Sequence, residues 1–334
     1  MIKVGIFGTG RIGKIHIKNL INHPKVDLKM VVDPFIDEDF IKALGVSFSK
    51  DEKDIFENPQ IDTVFICTPS DTHYDLIKKS ILAHKIIFCE KPIDLDLKRI
   101  LEIKQLVEKE NVFLQVGFNR RFDSNFRKIA KEIQEGAVGK LVQTRITSRD
   151  FSPPPRNYVE ASGGMFLDMS IHDFDMLRFI TKKEVQSIFV NATNLVTDYG
   201  DIDVDTAFLL FTLMDGSLAS IENCRSAVYG YDQRIEVLGK DGRIFCDNKY
   251  DNSVILCNKE NESRENPLDF FLERYRDSYK NELEDFIFNV QNNNPPSVGI
   301  DESIEATILA LAALQSHQQK QMIEIASIKA KYAL

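Results

Sequence analysis

The sequence predicts an α/β protein in two parts: a doubly wound parallel sheet over residues 1–118, then an α+β domain with a large, mostly antiparallel sheet over residues 119–334. Three observations carry this reading. The chain has 334 residues, beyond the size at which one hydrophobic core usually keeps growing. Its first third alternates short β-branched runs with amphipathic stretches, the pattern of βαβ units. After about Gly117 that alternation gives way to strands with little helix between them.

The elements follow in order. The runs "IKVGIFG", "DLKMVVD", "DTVFICT", "KIIFCE" and "VFLQVGF" carry apolar residues on both faces, as strands covered by helices on both sides must. Between them "RIGKIHIKNLINH", "THYDLIKKSILAH" and "LDLKRILEIKQLVEKE" are apolar at helical spacing. Next come a helix ("DSNFRKIAKEIQEG"), a strand ("KLVQTRITSRD") and a loop holding Pro153 to Pro155. The stretch "GGMFLDMSIHDFDMLRFI", Gly163 to Ile180, reads as one helix. Strands then run from Val185 to about Cys257, with hairpin turns at Asp215-Gly216 and Asp241-Gly242. The rest is helical, in "FFLERYRDSYKNELEDFIFNVQ" and "DESIEATILALAALQSHQQKQ"; Asp301 is the expected N-cap of the latter, with Glu305 supporting its start.

Composition narrows the function. The net charge of -9, with no long basic run, gives no bulk electrostatic reason to bind nucleic acid or an anionic membrane. No apolar run approaches the ~20 residues that span a bilayer. The opening "MIKVGIFGTG" leads directly into a glycine-rich turn rather than a signal peptide, and the odd set Cys67, Cys89, Cys224, Cys246 and Cys257 contains no CxxC pair. A reduced, cytoplasmic protein with thiols as small core residues is expected. No metal is implied, because the Cys/His clusters of zinc alcohol dehydrogenases are missing from the sequence.

Gly8-Thr9-Gly10-Arg11-Ile12-Gly13 is a GxGxxG turn between the first strand and the first helix. Gly8 permits the tight turn, Gly10 lets a phosphate approach the backbone, and Gly13 lets helix pack on strand. The helix start at Arg11 and Ile12 then offers free N–H groups to a pyrophosphate. Asp33 ends the second strand, where a carboxylate accepts from both ribose hydroxyls and repels a 2′-phosphate. The following Pro34, Phe35 and Ile36 bring no arginine, so NAD is expected over NADP. "CTPSDTH" puts Thr68, Pro69, Ser70 and His73 at the carboxyl edge of the sheet, on the nicotinamide side, and "FCEKP" puts Glu90 and Lys91 there as well.

This order of motifs, continued by an Asp-x-x-x-His pair on a later helix, resembles the glucose–fructose oxidoreductase and inositol dehydrogenase family. "VGFNRRFD", "DMSIHDFDMLRF", "YGYDQRIEVLGKDG" and "FFLERYRDSYKNELEDF" resemble its inositol 2-dehydrogenase branch, so the likeness covers nearly the whole chain. The resemblance implies a Rossmann domain followed by a substrate-binding and oligomerisation domain. It also implies NAD-dependent oxidation of a ring hydroxyl of an inositol, in myo-inositol catabolism, with Lys91, Asp168 and His172 as catalytic groups.

The chemistry needs such a set. On a helical wheel His172 lies about 40° from Asp168, and Asp175 about 20° on the other side, so all three share a stripe of an otherwise apolar helix. A buried charge must be paired or functional. Oxidising an alcohol moves a hydride to the nicotinamide while the hydroxyl proton leaves. A neutral imidazole can take that proton, and a lysine ammonium can stabilise the developing alkoxide. The residues leave open whether His172 or Lys91 is the final acceptor. Asp175 is expected behind them, holding an imidazole tautomer. Asn119, Arg120, Asn157, Tyr158, Asp168, His172 and Tyr231 supply the donors and acceptors a polyol requires. Alternating apolar residues in "TAFLLFTL" and "RIEVLG" leave one sheet face for a second copy, as in a homodimer or homotetramer. Two other readings keep the fold: a dehydrogenase of another sugar or polyol, and an NAD(H)-sensing protein without turnover.

Overall fold

The structure is a computed structural model covering all residues, Met1–Leu334. It divides into two compact units, Met1–Asn119 with Tyr279–Glu305, and Arg120–Ser278 with Ala306–Leu334. The segment Tyr279–Glu305 thus packs with the first unit, whereas the sequence reading places it in the second.

The first unit runs β1 (Ile2–Phe7), α1 (Arg11–Ile21), β2 (Val26–Val32), α2 (Glu38–Ala43), β3 (Phe48–Ser49), α3 (Lys53–Phe56), β4 (Thr63–Ile66), α4 (Ser70–Leu82), β5 (Ile86–Glu90), α5 (Leu97–Glu110) and β6 (Leu114–Gly117). The six strands form one sheet in the order β3-β2-β1-β4-β5-β6, and every pairing is parallel. Val4, Ile6, Val31, Val64, Phe65, Ile87, Phe88 and Val116 are all buried, which accounts for apolar residues on both faces of the strands. The order reverses between β1 and β4, so the carboxyl ends of these strands flank the switch point where such sheets bind ligands.

The second unit continues with α6 (Ser124–Gln134), β7 (Leu141–Arg149), α7 (Arg156–Ser162), α8 (Gly164–Asp168), α9 (Ser170–Thr181), β8 (Val185–Thr193), β9 (Thr206–Leu213), β10 (Leu218–Cys224), β11 (Asp232–Gly239) and β12 (Arg243–Cys246). A small hairpin, β13 (Ile255–Cys257) and β14 (Glu262–Arg264), precedes α10 (Phe271–Arg274), α11 (Arg276–Gln291), α12 (Ile300–Gln319), β15 (Ile323–Glu324) and α13 (Ile325–Lys331). Helices α11 and α12 cross the boundaries between the units. Seven strands form the large sheet, ordered β12-β11-β7-β10-β9-β8-β15. All neighbours are antiparallel except β7 and β10. One face buries Ile146, Ala207, Leu209, Phe211, Ile221, Ile235 and Val237; the other exposes Phe208, Leu210, Leu218 and Phe245.

Two local expectations change. The stretch Gly163–Ile180 is two helices, α8 and α9, because Met169 leaves ideal helical geometry at φ -96 and ψ -59. Asp301 lies inside α12 rather than before it; the open N–H of Gly299 is taken up by the carboxylate of Glu302, at 2.8 Å. No helix is long and apolar enough to cross a membrane.

Candidate active site

In the first unit, the residues expected to hold the cofactor all lie at the carboxyl edge of the parallel sheet. Gly8 has φ +98, and a Cβ there would stand 2.4 Å from the carbonyl oxygen of Cys67, so only glycine fits. A Cβ on Gly13 would meet the carbonyl of Gly8 at 2.2 Å, so this glycine sets how closely α1 packs on the turn. Gly10 is different: nothing lies within 4 Å of its would-be Cβ. That open space stands at the start of α1, where Arg11 is exposed, Ile12 half-buried, and no side chain caps the helix. Backbone N–H groups facing open space at a helix start suit a pyrophosphate.

Asp33 follows β2 and is tied to that turn. Its Oδ2 accepts from the backbone N–H and from Oγ1 of Thr9, both at 2.7 Å, and its Oδ1 accepts from the N–H of Phe35 at 2.8 Å. The carboxylate therefore stands beside the glycine-rich turn, half-buried, as recognition of an adenosine ribose requires. After β4, Thr68 Oγ1 accepts from Thr72 Oγ1 at 2.6 Å, Pro69 is exposed and Ser70 half-buried. His73 is fully buried, with Nδ1 2.8 Å from the carbonyl oxygen of Pro92 and Nε2 2.9 Å from that of Thr68. Burial holds its pKa below the ordinary histidine value, against the pull of those two carbonyls. A sealed imidazole bridging the loops after β4 and β5 shapes both of them. Lys91, half-buried, directly follows Glu90, whose Oε1 pairs with Nε2 of His16 at 2.8 Å. Asn119, 3% exposed, closes the unit.

In the second unit, Asp168 ends α8 and His172 stands one turn on in α9; both are half-buried. The hydroxyl of Tyr158 donates to Asp168 Oδ1 at 3.0 Å, and Nη1 of Arg225 donates to its Oδ2 at 3.1 Å. Tyr158 is 39% exposed and the preceding Asn157 is exposed, so the rim beside Asp168 carries polar groups within reach of solvent.

The other charges of α9 are engaged. Asp173 accepts from Arg120 Nη1 at 2.6 Å and from Asn223 Nδ2 at 2.8 Å. Arg120 also donates to Ser148 Oγ at 3.2 Å and to the Tyr231 hydroxyl at 3.3 Å, so Arg120 and Tyr231 meet in a buried network. Asp175 pairs with Arg121 through Nε and Nη2, at 2.8 Å and 2.6 Å. This corrects the expected role of Asp175: its carboxylate anchors an arginine rather than orienting an imidazole.

Three charged residues beside Asp168 escaped the sequence reading. Arg225 lies just beyond β10, Asp150 just beyond β7, and Asp203 in the loop before β9. Arg225 Nη1 is 3.6 Å from Asp150 Oδ2, and its Nη2 is 3.8 Å from Asp203 Oδ2. Burial, with the charge of Asp168 added, raises Asp150 to about 6 against the pull of Arg225. No local motif signals these residues; "SRDF" and "NCRS" read as ordinary strand ends.

Known proteins match the chain over nearly its whole length. Residues 2–118 match the oxidoreductase family model with an NAD-binding Rossmann fold, and residues 126–245 match the GFO/IDH/MocA C-terminal domain. The myo-inositol 2-dehydrogenase of Thermotoga maritima is 42% identical over 334 residues, 98% of this chain and 99% of that protein. The inositol 2-dehydrogenase of Rhizobium meliloti is 40% identical, over 97% of this chain and 99% of that one. A crystal structure of scyllo-inositol dehydrogenase from Lactobacillus casei, with bound NAD(H) and scyllo-inositol, superposes with a TM-score of 0.89 at 30% identity, covering 98% of this chain and 99% of that one. The open turn at Gly10, the carboxylate beside it and these matches agree, and the chain belongs to the GFO/IDH/MocA family as an NAD-dependent oxidoreductase.

Proposed function

We propose that the protein oxidises one ring hydroxyl of myo-inositol, or of a closely related inositol, to the inosose, with Lys91, Asp168 and His172 as catalytic groups. NAD takes up the hydride, and the chain's own residues handle the alcohol and its proton. Asp168 orients the reacting hydroxyl. A neutral His172, four residues on in α9, receives its proton, and the Lys91 ammonium stabilises the alkoxide as it develops. The single observation that carries the reading is the environment of Asp168: a half-buried carboxylate between a solvent-reaching tyrosine hydroxyl and a buried guanidinium. Such a group is held in place beside a hydroxyl that reaches solvent.

Preference for a polyol follows from polarity. A ring with a hydroxyl on every carbon pairs with many donors and acceptors, and Asn119, Asn157 and Tyr158 stand among the polar groups available, with Arg120 and Tyr231 as a rigid polar support. A site built this way rejects analogues lacking a hydroxyl, because its own groups go unpaired. The step from polyol to inositol rests on the named relatives. We also assign the exposed sheet face with Phe208, Leu210, Leu218 and Phe245 to self-association, as a dimer or tetramer of a cytoplasmic enzyme.

The test is a substrate panel of inositol isomers, glucose and galactose, each with NAD and NADP, read by absorbance of the reduced nicotinamide. The highest kcat/KM is expected for an inositol with NAD. A clearly higher value for an aldose would remove the substrate assignment and leave fold and cofactor standing.

A further inference from the structure

We infer that Arg225 is a positioning residue for the reaction: it orients Asp168 and supplies the positive charge that Asp168 shares with Asp150 and Asp203. The inference rests on the proposed role of Asp168 and deepens it.

The geometry begins with the sheet. β7 and β10 are its parallel neighbours, and Cys224 pairs with Arg149 in their register. The next residue of each strand, Asp150 and Arg225, therefore leaves the sheet at the same edge. Their backbones are fixed there: Asp150 N–H donates to the carbonyl of Cys224 at 2.9 Å, Arg225 N–H to that of Asp205 at 2.8 Å, and Ala227 N–H to that of Asp150 at 2.7 Å.

From this edge Arg225 reaches both ends of the short helix α8. At the far end its Nη1 donates to Asp168. At the near end its Nη2 faces Asp203, which accepts from the N–H of Met165 at 2.8 Å. The arginine side chain is 2% exposed, and its Nε and Nη2 make no hydrogen bond within the protein. The bond to Asp168 is thus its one directional contact, and the other two carboxylates hold it by charge alone.

Three carboxylates around one guanidinium leave excess negative charge when all are ionised. Desolvation and the charge of Asp168 raise Asp150 against the pull of Arg225, so the cluster takes up a proton more readily than an isolated carboxylate. Other titratable neighbours include Arg120, Asp173 and Tyr231 on the side of Asp150, Tyr199 beside Arg225 and Asp203, the Tyr158 hydroxyl on Asp168, and His172 four residues on from Asp168. Arg225 is the cation within 3.8 Å of all three carboxylates, and Arg120 is bonded to Asp173. Removing Arg225 therefore moves protonation of the cluster to higher pH.

The experiment compares Arg225→Gln, Arg225→Lys, Asp150→Asn and Asp168→Asn with the native enzyme, recording kcat, KM for the polyol, affinity for NADH, and kcat/KM from about pH 5 to pH 9. Arg225→Gln is expected to lower kcat at least tenfold and to raise the acidic limb by about one unit or more, the usual effect of losing an adjacent opposite charge. NADH affinity should stay native, and Arg225→Lys should return the limb towards its native position without restoring full kcat. Native kcat and an unmoved limb in Arg225→Gln would overturn the inference. Should that variant fail to fold, Asp150→Asn decides: the limb moves to lower pH if the cluster governs it, and an unmoved limb overturns the inference equally. Asp168→Asn separates the two levels. Full turnover there removes the proposed role of Asp168 itself, whereas an inactive Asp168→Asn beside a native Arg225→Gln removes only the positioning.

Discussion

Replacing Glu282 with glutamine tests how the first unit keeps a carboxyl in its core. Glu282 lies on α11, is fully buried, and neither of its carboxyl oxygens has a hydrogen-bond partner. Its oxygens come within 4.8 Å of His16 and Glu90, which pair with each other at 2.8 Å. Phe88 stands 5.0 Å and Tyr279 5.7 Å from the His16 ring, so the surroundings are largely aromatic. Burial first, then the charges of Glu90 and Asp285, pushes the Glu282 carboxyl well above its ordinary 4.5. The folded protein therefore keeps a proton that the unfolded chain releases above that value. Stability then falls as pH rises, by up to about 1.4 kcal/mol per unit, until the folded group itself ionises.

A carboxamide has the shape of a protonated carboxyl and cannot ionise, so Glu282→Gln removes this slope and little else. Thermal unfolding of both proteins at several values between about pH 5.5 and 8.5 reads the difference directly. The Tm of the variant should gain on the native protein by roughly 3–5 °C per pH unit, the scale for a domain of this size. Parallel lines of Tm against pH would refute the reasoning. A specific alternative gives the opposite sign. His16, Glu90 and Glu282 are metal-ligand types within reach of one point, and a bound cation would keep Glu282 ionised. The variant would then be less stable at every pH, and a chelator would lower the native Tm. The His16–Glu90 distance favours the proton, because ligand atoms around a tetrahedral zinc stand about 3.4 Å apart.

Three further outcomes are expected. Lys91→Ala and His172→Ala should each lower kcat by about a hundredfold or more while leaving NADH affinity near native; near-native turnover in either removes its assigned role. Asp33→Ser should narrow the preference for NAD over NADP, measured as a ratio of kcat/KM values, because the repelling carboxylate is gone and Thr9 loses its acceptor. Asp123 caps α6 and pairs with Arg274 at 2.6 Å and Lys249 at 3.3 Å, so Asp123→Asn should cost roughly 3–5 kcal/mol by leaving a buried arginine uncompensated; a loss under about 1 kcal/mol in chemical denaturation would contradict this.

What the sequence disclosed follows from range. The glycine-rich turn, the carboxylate after β2 and the Glu-Lys-Pro turn after β5 are local, since each function belongs to a few adjacent residues at a strand end. Apolar runs and period-2 alternation likewise exposed the two sheets. The break at Met169 was hidden, because the apolar spacing continues across it. The packing of Tyr279–Glu305 with the first unit was hidden too: an amphipathic pattern shows that a helix has a buried face and does not say against what. Arg225 was least visible. It stands 57 residues from Asp168, and the parallel pairing that sets it beside Asp150 leaves no local mark in the sequence.

The helices α8 and α9 carry three aspartates in a largely apolar stretch, and the pairings give a common reason. Asp168 meets Arg225, Asp173 meets Arg120, and Asp175 meets Arg121. Buried ion pairs of this kind are seldom more stabilising than apolar residues of the same volume, because desolvation consumes most of their attraction. Stability alone therefore does not account for three of them on two consecutive helices. Direction does. Each carboxylate accepts a hydrogen bond from an arginine held elsewhere in the unit, and Arg121 grips its partner at two nitrogens. An apolar contact lets a helix slide or rotate by small amounts, whereas these bonds fix both. Arg120 and Arg121 open the second unit, and Arg225 ends a central strand of its sheet. Helix α9, which bears His172, is thereby tied through Asp173 and Asp175 to Arg120 and Arg121, and α8 through Asp168 to Arg225. A reaction that moves a hydride and a proton together needs its acceptor held to within a fraction of an ångström. If His172 takes the proton as proposed, Asp173 and Asp175 serve that chemistry without touching it, by fixing the helix that carries it.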